Sequence, residues 1–507
     1  MNKRIRNLII GGIVLILLVG VLLVLKFMPQ ASTETEESST VSYTSTSVEL
    51  FTREESELTD IQLENEAGTL NLHCEQPATE EEDPVYTVEG LDGIDMNTKA
   101  STAFGDFDSV YANQLVEESP ADLAKYGLDQ PRSTITVTYT DGTSNILYLG
   151  DTLPTGTGCY GMVNDDPAVY AMSSTTAPYA DLVLTDFVDT TVVETWVAPE
   201  TTESEAAQTE PELRSMSIVG GSLTETLGDT PFTFVLGEYN EEMASYGMGG
   251  SNWQITSPVN ASLHTENTTT IREAINAVTA TSVAAIHPDE EAIATYGLAE
   301  PYAVVDFNRD GEDFHLVVGN SDGNGGRYVM TDGKDVVFVV AEDSLPWISI
   351  DLTKMFSSLI FLPYIDDVSQ IDLMVDGQTY TFKMELSEPE EPAEGEEAEE
   401  PTLERVLYED QEIDVDNFRK MYQYLISAPA EEINHDAQTG EHIASITYHY
   451  HDDPNYTDTV DFYQISERQM ALGLNGDIDF TSRIAYITRL RQNIEKLLNG
   501  ETPDLDY

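Results

Sequence analysis

The sequence has few cysteines and few basic residues, and each scarcity excludes a class of protein. Only two cysteines, Cys74 and Cys159, occur in 507 residues, so packing rather than a disulfide framework must stabilise the fold. Lysine and arginine total 23 against 92 aspartates and glutamates, for a formal net charge of −69. Such a surface repels nucleic acid and anionic lipid. It suits cationic partners or divalent ions, or it serves solubility alone.

The first thirty residues predict a membrane anchor. Residues 8–25 carry no charged side chain, and as a helix they span about 27 Å, close to the thickness of the hydrocarbon layer. Lys3, Arg4 and Arg6 precede this run, which places residues 1–7 in the cytoplasm and the bulk of the chain outside. We therefore predict an uncleaved anchor at 8–28. The alternative is a cleaved signal peptide, but Pro29-Gln30-Ala31 fits a cleavage site poorly.

Three polar segments divide the rest of the chain. They are rich in Ser, Thr, Glu or Pro and cannot bury enough apolar surface to order themselves. We predict a flexible stalk at 29–47, an acidic linker at 198–211 and a disordered acidic insert at 387–401. The predicted units between them are 48–197, 212–363 and a divergent third unit at 364–500, followed by a tail at 501–507.

An internal repeat occupies the first two units. Each copy has a Tyr-Gly-Leu run, a following proline, an Asp-Gly pair between alternating apolar stretches, and later an apolar residue before glycine. Fixed spacing over about 75 residues indicates duplication. The repeated motif residues are Tyr126, Gly127, Leu128 and Pro131 in the first copy, and Tyr296, Gly297, Leu298 and Pro301 in the second.

The repeated motif has a structural interpretation. Glycine supplies the left-handed residue that ends a helix, the following leucine packs back on the last turn, and proline prevents continuation. Asp-Gly is a favoured two-residue hairpin turn. These signals predict an α+β fold, in which tandem modules of one helix and an antiparallel β-meander follow one transmembrane helix.

The motif also carries a family resemblance. The run from Leu123 to Pro131, the Asp141-Gly142 pair, the turn at 149–151 and Tyr160 resemble the bacterial family called domain of unknown function 4340. The resemblance covers roughly residues 85–185 and 253–345. It implies a membrane-anchored extracytoplasmic protein, often encoded beside ABC transporters. It implies no catalytic residue and no cofactor.

The C-terminal histidines are the best candidates for a metal site. His449 and His451 are two residues apart on a predicted strand and so project from one face, with His442 or Asp453 as further ligands. The alternative is an exposed strand face, because Tyr448 and its neighbours fill the opposite side.

Two other patterns favour structure over chemistry. Residues 320–325 resemble the start of a calcium loop, but Thr331 stands where a bidentate glutamate is needed, which favours a hairpin turn. Cys159 has no histidine nearby in sequence to act as a base, which favours a structural thiol or a bridge to Cys74.

The sequence contains no recognisable catalytic motif: it has no nucleophile elbow, paired-histidine zinc motif, phosphate loop or dinucleotide fingerprint. We therefore expect a non-catalytic anchored scaffold or binding protein with a membrane or envelope protein as partner, as an accessory of an ABC-transporter-associated complex. The alternatives are a protein that binds cell-wall polymer or another extracellular ligand, and a metal-dependent enzyme that uses the histidine cluster.

Overall fold

The computed structural model describes residues 47–79, 82–199, 208–236, 253–388, 401–434 and 438–506. The predicted anchor at 8–28 and nearly all of the stalk lie outside these residues, as do most of the acidic linker and insert. Among the described residues, no helix is both long and apolar enough to cross a membrane. Those from Glu49 onward belong to one compact unit.

Strands dominate this unit, whose described residues form three nine-stranded sheets and one two-stranded sheet. The first sheet contains β1 (Val48–Thr52), β2 (Leu58–Asn65), β3 (Gly68–Gln76), β4 (Val85–Val88), β5 (Ser109–Glu117), β6 (Ser133–Tyr139), β7 (Ser144–Thr152), β8 (Cys159–Val163) and β9 (Val169–Met172). The two-stranded sheet joins β10 (Thr191–Val193) to β15 (Val278–Thr279).

The other two large sheets follow in chain order. The second contains β11 (Leu213–Gly220), β12 (Phe232–Leu236), β13 (Trp253–Ser257), β14 (Ala261–Ser262), β16 (Ser282–Ile286), β17 (Ala303–Arg309), β18 (Glu312–Ser321), β19 (Gly326–Thr331) and β20 (Val336–Ala341). The third contains β21 (Val368–Val375), β22 (Gln378–Leu386), β23 (Leu403–Tyr408), β24 (Gln411–Ile413), β25 (Glu432–Ile433), β26 (Glu441–Tyr450), β27 (Thr457–Gln464), β28 (Gln469–Leu474) and β29 (Asp477–Arg483).

The α-helices of the described residues are short, apart from the last two. They are α1 (Lys99–Phe107), α2 (Thr224–Leu227), α3 (Thr269–Glu273), α4 (Glu290–Thr295), α5 (Val415–Leu425) and α6 (Ala485–Leu498). The α5 helix begins after Asp414, whose side chain accepts a hydrogen bond from the amide of Asn417 at 2.9 Å. That N-cap satisfies one of the free amides at the helix start.

All three large sheets share one order of eight strands. The first reads β4-β3-β2-β6-β7-β8-β9-β5, the second β13-β12-β11-β17-β18-β19-β20-β16, and the third β23-β22-β21-β26-β27-β28-β29-β25. In each sheet a helix (α1, α3 or α5) precedes the strand that ends this order, β5, β16 or β25. The third sheet is therefore a third copy of the same fold, although it lacks the Tyr-Gly-Leu motif.

The predicted α+β class is wrong, because the structure consists mainly of antiparallel sheets. The prediction began each module with a helix followed by a meander. In the structure, hairpins that precede the helix belong to the same sheet, and β2 lies directly beside β6. Pairing between strands far apart in sequence leaves no local signal, so the sequence does not show that the hairpins at the start of each unit join the sheet of the later meander.

Aromatic side chains from the helices and short turns fill one face of each sheet, called here the inner face. Tyr86 stacks on Phe104 of α1 with ring centroids 4.4 Å apart. Phe307 of β17 stacks on Trp347 at 6.1 Å, and Phe382 of β22 meets Phe418 of α5 at 5.5 Å. Burying one such side chain contributes about 2–3 kcal/mol, so these contacts hold the helices on the sheets.

A buried arginine holds the junction between the first and second sheets. The Arg309 side chain, only 6% exposed, donates from Nη1 to the carbonyl oxygens of Ile275 at 2.8 Å and Glu194 at 2.9 Å. Its guanidinium lies 4.6 Å from the ring centre of Phe314. Glu194 follows β10 in the connecting segment, so one cation ties that segment to the second sheet.

Two further contacts support this junction. The Lys334 ammonium donates to the carbonyl of Thr191 at 2.7 Å and lies 3.9 Å from the carboxylate of Asp95, which precedes α1. The Asp310 carboxylate accepts from Trp196 Nε1 at 2.7 Å and from the Glu212 amide at 2.8 Å. Trp196 and Glu212 lie on either side of the predicted acidic linker, and both are therefore hydrogen-bonded to the turn between β17 and β18.

These contacts lower the pKa of the Asp310 carboxyl group. Partial burial raises the pKa of Asp310, but hydrogen bonds from the Glu212 amide, Trp196 and Gln208 outweigh that effect and hold the pKa below its usual value. The charged carboxylate is thus the form that the junction stabilises.

The second and third sheets are joined in a similar way. Leu359 forms an isolated bridge with Pro429, which follows α5, just as β10 pairs with the segment that follows α3. The amide of Ala430 donates to the carbonyl of Ser358 at 2.7 Å. The Tyr422 hydroxyl donates to the carbonyl of Pro363 at 2.9 Å. Both junctions therefore use residues that follow the helix repeated in each sheet, and the second also uses Tyr422 within that helix.

The Arg309 junction generates a stability prediction. Arg309→Met would leave two or more carbonyls without their donor, and an unpaired buried acceptor costs about 1–3 kcal/mol. We expect urea unfolding to show a loss of about 2 kcal/mol or more. Hydrogen exchange at residues 191–196 should also accelerate.

Arg214→Met is the matched control. Arg214 lies on β11, and its exposed side chain pairs with Glu212 at 3.0 Å. An exposed pair contributes little, so we expect a change within about 0.5 kcal/mol. Equal effects of the two substitutions would contradict the account of the junction.

Candidate functional site

The structure does not bring the four metal candidates together. His442 and His449 lie seven positions apart on β26, roughly 23 Å at the usual rise of a strand. Each has its own carboxylate: His442 Nε2 lies 2.9 Å from Asp461 Oδ1, and His449 Nε2 lies 2.8 Å from Asp372 Oδ2. These two histidines therefore belong to separate pairs.

The other two candidates serve the turn after β26. The backbone amide of His451 donates to the carbonyl of Asp367 at 3.0 Å. The buried Nε2 of His451 has no hydrogen-bond partner within the described part of the chain. The Asp453 carboxylate accepts from the Asn455 amide at 3.0 Å. No group of three or more His, Cys, Asp or Glu side chains that could hold a metal ion occurs among the described residues.

The calcium-like segment forms a turn in which its aspartate is already used. The Asp322 carboxylate accepts from the amides of Asn324 and Gly326, both at 2.8 Å. These backbone hydrogen bonds lower the pKa of Asp322. The segment connects β18 and β19, so its place in the fold is that of a hairpin turn.

The two cysteines are free thiols. Cys74 lies on β3 and Cys159 on β8, with β2, β6 and β7 between them. Four strand spacings amount to about 19 Å, far beyond the Cα separation that a disulfide allows. Burial raises the pKa of Cys159 to about 11, so the thiol is protonated and inert near neutral pH.

The Tyr-Gly-Leu motif ends a single turn in each copy. The turn is a 3₁₀ helix at Leu123–Tyr126 in the first copy and α4 in the second. Gly127 has φ of 66° and Gly297 has φ of 73°, a conformation that side chains disfavour. The amide of Leu128 donates back to the Leu123 carbonyl at 3.1 Å, which closes the turn.

The turn packs on the face of the sheet opposite the helices, called here the outer face. Tyr126 and Leu128 are buried against Val169 of β9, and the Tyr126 ring meets Tyr160 edge-on at 4.9 Å. In the second copy, Tyr296 meets Tyr328 at 4.5 Å. Pro131 and Pro301 stand two residues before β6 and β17. These contacts use the motif side chains within the fold.

A second glycine in each copy permits this packing. A Cβ atom on Gly150 would lie 2.2 Å from the carbonyl oxygen of Tyr126, and one on Gly319 would lie 2.3 Å from that of Tyr296. Both distances are shorter than any tolerated contact. The backbone of the turn can approach the strand only because these positions lack a side chain.

Each outer face also carries a carboxylate–imidazole pair that the sequence interpretation missed. His73 Nδ1 lies 2.8 Å from Asp60 Oδ1 on the first sheet, and His315 Nδ1 lies 2.6 Å from Asp306 Oδ1 on the second. The pair on the third sheet is His449 with Asp372. Partial burial raises the pKa of Asp372, but hydrogen bonds from Thr381, His449 and Gln370 together lower it below its usual value.

The pair on the second sheet lies in a depression of the outer face. The depression has a volume of about 540 Å³ and crosses four strands, β12, β11, β17 and β18. Most of the residues that line it have hydroxyl or carboxylate side chains. The polar side chains that line it are Ser215, Ser217, Thr233, Asp306, Asp313, His315 and Asp332.

Comparison with known proteins gives one match. The family described as domain of unknown function (DUF4340) matches residues 97–233 and 253–431. The chain belongs to this family. The matched regions cover more than half of the chain, each contains one copy of the Tyr-Gly-Leu motif, and the family resemblance and the tandem copies are confirmed. No curated protein and no solved structure matches.

The DUF4340 matches do not follow the boundaries of the sheets. The first begins next to α1 and ends within β12, so it spans parts of two sheets. The strands β26, β27, β28 and β29 lie beyond the second match, although they repeat the order seen in the other sheets. The structure therefore extends the repeat beyond the recognised sequence signature.

The close approach at Gly150 generates a prediction. Gly150→Ala would force the turn away from the strand, and such overpacking costs about 1–3 kcal/mol. We expect thermal unfolding to show a loss of that size. Gly105→Ala is the control, because a Cβ on Gly105 in α1 meets no atom within 4 Å.

In a helix, alanine is more favourable than glycine by up to about 1 kcal/mol. The control should therefore be neutral or stabilising. A Gly150→Ala protein as stable as the Gly105→Ala protein would refute the steric account of the motif.

Proposed function

We propose that the chain is a non-catalytic, membrane-anchored scaffold outside the cytoplasm that positions an envelope protein partner. The predicted anchor at 8–28, with its basic N-terminal flank, supports the location. The family resemblance, with its ABC-transporter gene neighbours, supports an accessory role in a transporter-associated complex.

The junctions are the observation that carries the scaffold proposal. A scaffold must hold its parts at fixed positions, and both junctions use backbone hydrogen bonds. The Arg309 side chain adds donors from a buried cation, which are stronger than neutral ones. The motif side chains are meanwhile used in packing, so the repeat serves the fold and leaves recognition to other surfaces.

Crosslinking in intact cells tests this proposal. We expect the full-length protein to form an adduct with an integral membrane or envelope protein. Because partner positioning depends on the junction, Arg309→Met should reduce the adduct at least about fivefold, equivalent to roughly 1 kcal/mol of binding free energy. Arg214→Met should leave it unchanged.

Protease added to wall-stripped cells is the control for topology. Digestion of the chain after the stalk is expected, with residues 1–30 retained in the membrane. Complete protection would contradict the orientation. An adduct that the two arginine variants retain equally would contradict the scaffold role.

Binding of cell-wall polymer is a second candidate, and the outer faces favour it. The carboxylate–imidazole pairs and the hydroxyl groups in the depression can donate and accept hydrogen bonds, which is the chemistry that a polyhydroxylated ligand requires. Retention of the protein on isolated wall material tests this candidate.

A further inference from the structure

The strongest unassigned feature is a straight row of polar side chains across the outer face of the second sheet. Thr233 of β12 pairs with Ser217 of β11, Ser217 pairs with Asp306 of β17, and Asp306 pairs with His315 of β18. Neighbouring strands lie about 4.8 Å apart, so the row is about 14 Å long. It forms the floor of the depression described above.

The position of the row excludes a peptide strand as its ligand. Peptides extend a sheet by pairing with the free backbone groups of an edge strand. The strands β11, β17 and β18 each have a partner on both sides, so their backbone groups are already used. The cores of protein–protein interfaces also need accessible apolar or aromatic side chains, and the row has none. Of the apolar residues that border the depression, Met216 and Phe307 are buried and Phe314 is half-buried. A ligand must therefore bind through side chains and bring its own polar groups.

The negative charge of the depression favours a ligand with positive charge. Among the residues that the structure describes, Asp306, Asp313 and Asp332 line the depression, and no lysine or arginine does. The side chains of Asp306 and His315 are 53% and 38% exposed, so both are accessible from solvent. The net charge of the chain adds to the local field, which attracts cations and repels anions. The hydroxyls of Ser217 and Thr233 can donate or accept hydrogen bonds.

We infer that this row binds a polysaccharide with free amino groups. The carboxylate of Asp306 in the row, with those of Asp313 and Asp332 beside it, faces the ammonium groups of the sugars. The hydroxyls of Ser217 and Thr233 pair with sugar hydroxyls. This inference rests on the second proposed function, the binding of wall polymer, and it names the chemistry that this polymer must have.

The other two sheets carry rows of similar composition at equivalent strands. Three similar faces on one chain engage a long polymer more strongly than one face does, because each further contact is intramolecular. The corresponding rows are His73, Asp60, Thr138 and Ser144 on the first sheet, and Thr381, Asp372, Thr447 and Thr459 on the third.

Titration of the purified full-length protein with two soluble sugars tests the inference. One is a glucosamine tetramer with free amines, and the other is the fully N-acetylated tetramer. We expect the amine form to bind and the acetylated form not to bind. Asp306→Asn should reduce the number of tetramers bound per chain by one or weaken binding at least fivefold. The double variant Ser217→Ala, Thr233→Val should do the same without any change of charge.

Asp343→Asn is the matched control, because it removes one negative charge from an exposed position outside the row. The Asp343→Asn protein should bind the amine tetramer as the unmodified protein does. All variants should have the same melting temperature as the unmodified protein. Equal weakening by Asp306→Asn and Asp343→Asn, or no effect of the double variant, would show general charge attraction and overturn the inference.

The failure of the inference is distinguishable from that of the proposed function. Equal binding of the two tetramers, lost in Asp306→Asn, would overturn the need for amines while polymer binding stands. If neither tetramer binds and isolated wall retains no protein, polymer binding itself is refuted.

Discussion

The close approach of the Tyr-Gly-Leu turn to one strand determines which part of the outer face is covered in each of the first two sheets. Gly150 and Gly319 let the carbonyls of Tyr126 and Tyr296 lie where a Cβ atom would stand. The turn then covers one end of the outer face with aromatic side chains, while helices and short turns cover the inner face. The remaining outer strands stay uncovered and polar.

The junctions extend this local constraint to the whole array. Most basic side chains in the described residues pair with nearby acids. The Arg309 guanidinium instead donates to backbone carbonyls at the boundary between two sheets. Burying a cation in this way is costly unless its donors are satisfied, which explains the carbonyls gathered around it. The polar outer faces are therefore parts of one body rather than of independent domains.

Local features were predictable from the sequence, whereas distant pairings were not. The left-handed glycines and the N-cap of α5 follow from known helix-ending and helix-starting signals. The Asp310-Gly311 turn also implies that Asp306 faces His315, by counting back from the hairpin. By contrast, the pairing of β2 with β6 and the burial of Arg309 depend on contacts that no local pattern records. The distance between His442 and His449 follows from their spacing along one strand.

Rigidity across the three sheets is the central claim, and a distance measurement tests it most directly. Spin labels on cysteines introduced at Thr157 and Glu467, both exposed, would report the distance between the first and third sheets in a Cys74→Ser protein. Cys159 is buried with a raised pKa and should not be labelled. The account predicts a single narrow distance distribution by double electron–electron resonance. A broad distribution, or several distances, would contradict it.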